Sequence, residues 1–150
     1  MSEEIPEAVF DCGVFLQGLI SKSGPAVVCL ELVEQEKIKL FISEETLAEI
    51  KDVLSRPRLR ERNPDLTDEK VEKSEFIKKI PRHFEFSRDP NDEPYINLAI
   101  EANAIFLVSR DNDLLDLMTG YTDECKDFRR RFRKLKIVNP VEFLEIVEKG

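Results

Sequence analysis

The chain reads as an α/β fold, a largely parallel sheet with helices over both faces. Two observations predict it. Short apolar segments of strand length alternate with longer segments of helical character along the chain, the pattern of successive βαβ units. The 150 residues carry no internal repeat, low-complexity tract or linker, and that length is about one domain, able to bury a core without disulfide or metal staples. In such a sheet, right-handed crossovers place ligands outside the carboxyl ends of the strands.

The elements follow in order. Ala8-Val9-Phe10 is a short buried strand that stops at a charge, Asp11. Val14 to Ile20 is apolar enough for a helix, and Ser21-Lys22-Ser23-Gly24 breaks it. Pro25 suits the first turn of a second helix. Lys39 to Ile42 is a second strand, and Ser43 caps the helix after it, whose apolar stripe is Leu47, Ile50 and Leu54, with Pro57 as its stop. Residues 56–66 read as a polar surface connection. Thr67-Asp68-Glu69 opens a helix running to about Ile80, ahead of Pro81, with acids in its first turn. His83-Phe84-Glu85-Phe86 alternates weakly and predicts an edge strand. Asp89-Pro90-Asn91-Asp92 is a turn leading into a helix that faces Ile96, Ala99 and Ile100 inward. Ala104 to Val108 is the clearest buried strand. A short helix with Leu114, Leu115 and Met118 follows Ser109-Arg110-Asp111. Lys136-Ile137-Val138 is a last short strand, and Pro140 opens a terminal helix through Val147.

Composition narrows the chemistry. Lys and Arg number 23 against 31 Asp and Glu, a net charge of −8, which argues against tight nonspecific duplex binding but not against a nuclease, because a bound metal supplies positive charge locally. Three cysteines, Cys12, Cys29 and Cys125, form no C-x-x-C pair, which removes a disulfide framework and a zinc ribbon. Cys12 reads as a small buried side chain rather than a nucleophile, having no visible base. With His83 the single histidine, neither a Ser-His-Asp triad nor a histidine-rich zinc site is supported. No apolar run approaches the roughly 20 residues of a membrane span, and Met1 to Pro6 does not read as a signal peptide. A soluble, cytoplasmic protein is the expectation.

Carboxylate is what remains abundant. Asp11 directly follows the first strand; Asp111 follows the clearest strand after two residues, with Asp113 beyond; Asp92 precedes the helix before that strand; Glu49 lies on the helix after the second strand. In a parallel sheet the two strand-terminal acids share one rim. Gathered carboxylates repel one another unless some take up protons or a divalent cation joins them. An oxygen-only donor set without histidine or thiolate favours Mg²⁺ or Mn²⁺ over zinc. Each acid has a plainer reading as well. Asp92 alone is a turn or N-cap residue, Asp113 and Asp116 suit a solvated helix start, and Glu49 flanks a buried stripe. Asp11 is hardest to explain that way: it is embedded in apolar sequence, no basic residue lies within ten positions on either side, and a desolvated charge needs a partner, either distant in sequence or a metal.

The order of Asp11 after the first strand, helical Glu49 in Ser43 to Pro57, Asp89-Pro90-Asn91-Asp92, and Val108-Ser109-Arg110-Asp111-Asn112-Asp113-Leu114-Leu115 resembles the PIN domain family, specifically its branch of toxin components of toxin–antitoxin systems. The resemblance spans about 7–118 of a single domain over 1–150, with a C-terminal extension at 119–150. It implies a three-layer α/β/α, Rossmann-like nuclease fold and Mg²⁺- or Mn²⁺-dependent endoribonuclease activity. It assigns catalytic and metal roles to Asp11, Glu49, Asp92 and Asp111, with Asp113 as an accessory metal ligand. As partners it implies an RNA substrate, single-stranded for access to a compact cleft, an antitoxin protein, and a second copy in a homodimer, with no membrane. Gly13 stands where family members commonly have Asn, which favours the alternative of a weak or inactive RNA- or protein-binding module.

Two basic clusters stand out: Arg56, Arg58, Arg60 and Arg62, and the run from Arg129 to Lys134. The second follows Asp123 and Glu124 on one helix, so its first reading is a dipole-matched face rather than an RNA contact. A haloacid dehalogenase-type phosphatase needs a second Asp where Gly13 stands, and a receiver-like phosphoacceptor needs a strand-end lysine that is absent after Val108.

Overall fold

The computed structural model describes residues 5–57 and 74–149. Its sheet has five strands, β1 (Glu7–Phe10), β2 (Lys39–Ser43), β3 (Glu75–Ile77), β4 (Phe106–Val108) and β5 (Lys136–Val138), in the order β3-β2-β1-β4-β5 with every pairing parallel. The chain winds outward from β1 in both directions, so the crevice between the ends of β1 and β4 is the topological switch point.

Alternation along the strands separates two cores. Ala8, Phe10, Leu40, Ile42, Phe106, Val108 and Val138 face one layer, built from α1 (Cys12–Ile20), α2 (Pro25–Glu34), α3 (Glu44–Leu54) and α7 (Pro140–Lys149). Val9, Phe41, Leu107 and Ile137 face the other, built from α4 (Glu93–Glu101), α5 (Asn112–Thr119) and α6 (Asp123–Arg131). Both faces are covered, and so the central strands are apolar throughout. The result is the expected three-layer α/β/α arrangement. Phe143 of α7 packs edge-on against Phe10 and Phe106, tying the C-terminal helix to the sheet centre.

Local signals set several boundaries. Gly24 takes φ +120°, a conformation that favours glycine, immediately before Pro25 opens α2. A Cβ on Gly18 would lie 2.5 Å from the Leu30 side chain and 2.8 Å from the Ala26 carbonyl, so the absent side chain is what lets α1 and α2 pack together. Ser43 and Thr46 form a reciprocal capping box that starts α3 at the end of β2. α3 ends at Leu54, before Pro57. No single helix among the described residues is long and apolar enough to cross a membrane.

Two expectations fail. The helix expected from Thr67 to Ile80 lies partly outside the described residues, but its last part is strand β3, paired with β2 from Phe41 opposite Glu75 to Ser43 opposite Ile77. The acid-rich start suggested a helix, whereas the open edge of β2 offers the backbone a ladder of partners, and Lys39 ties the two strand starts through Glu75 at 2.9 Å. The expected edge strand at 83–86 pairs with no strand. Phe84 and Phe86 are buried as its alternation suggests, but Asn97 of α4 takes the place of a neighbouring strand. Its Oδ1 accepts from the His83 and Phe84 N–H groups at 2.7 and 2.8 Å, and its Nδ2 donates to the Phe84 carbonyl at 3.2 Å. The surface connection at 56–66 lies mostly outside the described residues.

Candidate active site

Asp11 ends β1 and caps α1. Its N–H continues the ladder to the Val108 carbonyl at 3.1 Å, and its Oδ1 accepts from the Val14 N–H at 2.9 Å. The distant partner demanded by its burial is Ser109, the residue after β4, whose hydroxyl donates to Asp11 Oδ2. Ser109 in turn accepts from the Asp111 N–H at 2.9 Å, so one buried hydroxyl joins the ends of the two central strands. Asp11 is 4% exposed. Burial, opposed by the Ser109 and Val14 hydrogen bonds and assisted by Asp111 and Glu49, pushes its carboxyl up to about 6.

Asp111 caps α5 through the Asp113 N–H at 2.8 Å. Asp92 precedes α4, yet its side chain makes no capping bond, which removes the plain N-cap reading. Its Oδ2 is buried without a hydrogen-bond partner. Burial first, then a hydrogen bond shared with the Asp111 carboxyl and repulsion from Asp89, Asp111 and Asp11, pushes the Asp92 carboxyl up to about 8. Asp89, Asp92 and Asp111 each present a carboxylate oxygen within 4.8 Å of the others. Three half-buried carboxylates that crowd one another and leave one oxygen orphaned fit a hard divalent cation.

Glu49 enters from α3 and accepts the Tyr95 hydroxyl hydrogen at 2.5 Å on Oε1. Tyr95 is fully buried on α4, and burial together with Glu49 raises its phenol, keeping it a donor. Glu49 and Asp11 both add to the burial that pushes the neighbouring Cys12 thiol up to about 12, so Cys12 stays a protonated, unreactive side chain.

The structure thus brings Asp92 and Asp111 into one oxygen cluster and ties Asp11 to it through Ser109, with Glu49 held nearby by Tyr95. Asp11 and Glu49 lie outside the triple itself. Asp113 is not drawn in: it pairs with Arg88 at 2.8 Å, and Arg88 also holds Asp116 at 2.9 Å. Asp89 is the acid that sequence reasoning passed over as a turn residue. The turn itself was the signal, because the Asp92 N–H bonds back to the Asp89 carbonyl at 3.1 Å and so stacks two acids three positions apart. A Cβ on Gly13 would stand 3.6 Å from Asp11 Oδ1, an ordinary contact, so position 13 faces Asp11 while Ser109 and Val14 already orient it.

Three arginines of the basic run, in the last turn of α6, have partners of their own. Arg129 donates to the Leu117 and Gly120 carbonyls at 2.9 Å each, and Arg130 and Arg131 pair with Asp127. The run precedes β5 and therefore sits at the rim opposite the acids. Of the other cluster, Arg58, Arg60 and Arg62 lie outside the described residues.

A family model described as PIN domain matches residues 7–113. The chain is also 32% identical over 148 residues to the uncharacterized protein MJ1680 of Methanocaldococcus jannaschii, covering 95% of this chain and 92% of that one.

Proposed function

The chain belongs to the PIN domain family, a nuclease-type fold, and on that premise we propose that it is a metal-dependent endoribonuclease cleaving single-stranded RNA as the toxin of a toxin–antitoxin system. The carrying observation is the cluster of Asp89, Asp92 and Asp111, with the orphaned Asp92 Oδ2, at the switch point of the sheet.

The donor set is oxygen alone, which favours Mg²⁺ or Mn²⁺. A divalent cation held there would supply positive charge toward a phosphodiester at an otherwise acidic rim. Asp92 and Asp111 would hold it, with Asp89 completing the set. Asp11, its position fixed by Ser109 and Val14, would face the cation from β1. Glu49, with Oε1 held by Tyr95, would orient a water and accept its proton. Asp113 is left out of this set because its carboxylate pairs with Arg88.

The test is cleavage of single-stranded RNA by the purified protein with Mn²⁺, silenced by EDTA. Asp11→Asn and Asp111→Asn should each lose more than the roughly 10–100-fold typical of residues that merely orient metal ligands, with the folded circular-dichroism spectrum retained. Wild-type cleavage by Asp111→Asn overturns the proposal. Gly13 favours a second reading, a binding module without turnover, which predicts RNA binding and no cleavage at any Mn²⁺ concentration. The toxin role rests on the resemblance of motif order, and a neighbouring gene for a small DNA-binding protein is its check.

A further inference from the structure

Beside the acidic cluster, on the same rim, a cleft of about 430 Å³ opens between the α1–α2 turn and the β5–α7 turn. Arg110 lines it, flanked in sequence by Ser109 and Asp111, both in the acidic site. The arginines near the start of α4 are committed to carboxylates, Arg82 to Glu93 at 2.9 Å and Arg88 to Asp113 and Asp116. Arg110 differs. Among the described residues its guanidinium has no carboxylate partner; it donates instead to the neutral Gln17 side chain at 2.6 Å, which holds it in place without cancelling its charge. Arg110 is exposed and its charge is not committed to a carboxylate, so in a chain of net charge −8 it is free to pair with an anion from outside.

The rest of the lining suits a nucleotide. Asn112 and Asn139 bring amides, while Pro25, Leu115 and Pro140 provide an apolar wall for a ribose or base face. Gly24, Pro25 and Ala26 at the start of α2 line the cleft, and Gly24 supplies no side-chain cap there, which leaves the positive end of the helix dipole on that side. Guanidinium, amides and apolar wall match a phosphodiester with its attached nucleoside better than a free carboxylate or an acidic peptide.

Resting on the RNA reading above, we propose that this cleft is a phosphate-binding subsite, in which Arg110 grips the backbone of single-stranded RNA one or two nucleotides from the bond at the acidic cluster. The subsite is where an otherwise repulsive molecule gains hold of its substrate.

Fluorescence anisotropy with a labelled oligouridylate hexamer, in EDTA across a salt series, tests it. Arg110→Gln should weaken binding and reduce the slope of log affinity against log salt by about 0.7, the loss of one phosphate contact on a single strand. Arg110→Lys, which keeps the charge, should retain the slope. An unchanged slope in Arg110→Gln, an equal loss in both variants, or no hexamer binding by the wild type at low salt overturns the subsite. Parallel cleavage assays with Mn²⁺ separate the two readings. Arg110-dependent binding without cleavage defeats the nuclease and leaves the subsite standing; cleavage with Arg110-independent binding does the reverse.

Discussion

Tyr95 shows how much of the site rests on groups that never touch substrate. Its hydroxyl fixes Glu49 across the interval between α4 and α3, from a fully buried position. Tyr95→Phe removes the hydroxyl and its hydrogen bond to Glu49 but keeps the ring's packing, so it should cost about 1 kcal/mol of stability yet lower turnover about 10–100-fold, as groups that orient catalytic carboxylates do. Steady-state kinetics with a denaturation curve checks both numbers, and full turnover would detach Glu49 from the reaction. Ser109 works likewise on Asp11 and Asp111 together. Neither residue stood out in the sequence, where a tyrosine on an apolar helix face and a serine after a strand look like ordinary packing and turn chemistry.

Among the elements, the segment at 82–86 packs on α4, the helix that Asp92 precedes. It has no strand beside it and is held by side chains of α4. Asn97, buried at 4% exposure, serves two N–H groups and one carbonyl of the segment, and Glu93 accepts from the Phe86 N–H at 2.9 Å while pairing with Arg82. The Arg82 guanidinium holds the Glu93 carboxyl below its usual range. Asn97→Leu fills the space but strands those backbone groups, each costing about 1–3 kcal/mol when left buried and unpaired. A loss of at least about 2 kcal/mol in urea unfolding is expected; a neutral change would show that the segment finds other partners. Alternating Phe84 and Phe86 made their burial legible beforehand, whereas the replacement of a strand by one asparagine side chain was not.

For the molecule as a whole, the crowded acids make stability depend on pH and metal. Asp11 and Asp92 both hold protons more tightly in the folded chain, at about 6 and 8, than at the ordinary 3.8. Between pH 4 and 8 the folded state therefore binds more protons than the unfolded one, and stability of the metal-free protein falls as pH rises through that window. A bound divalent cation opposes this, because it replaces the protons. The unfolding temperature in EDTA should decline from pH 5 to pH 8, Mn²⁺ should raise it more at pH 8 than at pH 5, and Asp92→Asn should flatten both trends. Equal Mn²⁺ shifts at the two pH values would place the ion elsewhere.

Apolar spacing, prolines and caps were enough to lay out the alternating strands and helices, because those signals act over a few neighbouring residues. The positions of Asp11, Asp92 and Asp111 at strand and helix ends followed from the same local pattern. Which acids meet depended on distant segments converging. Asp113 lies two residues from Asp111 yet turns to Arg88, Asp89 joins the cluster through a tight turn, and Asp11 reaches it through Ser109, 98 positions away. Strand order and side-chain direction settle such meetings, and both arise from packing across the whole sheet.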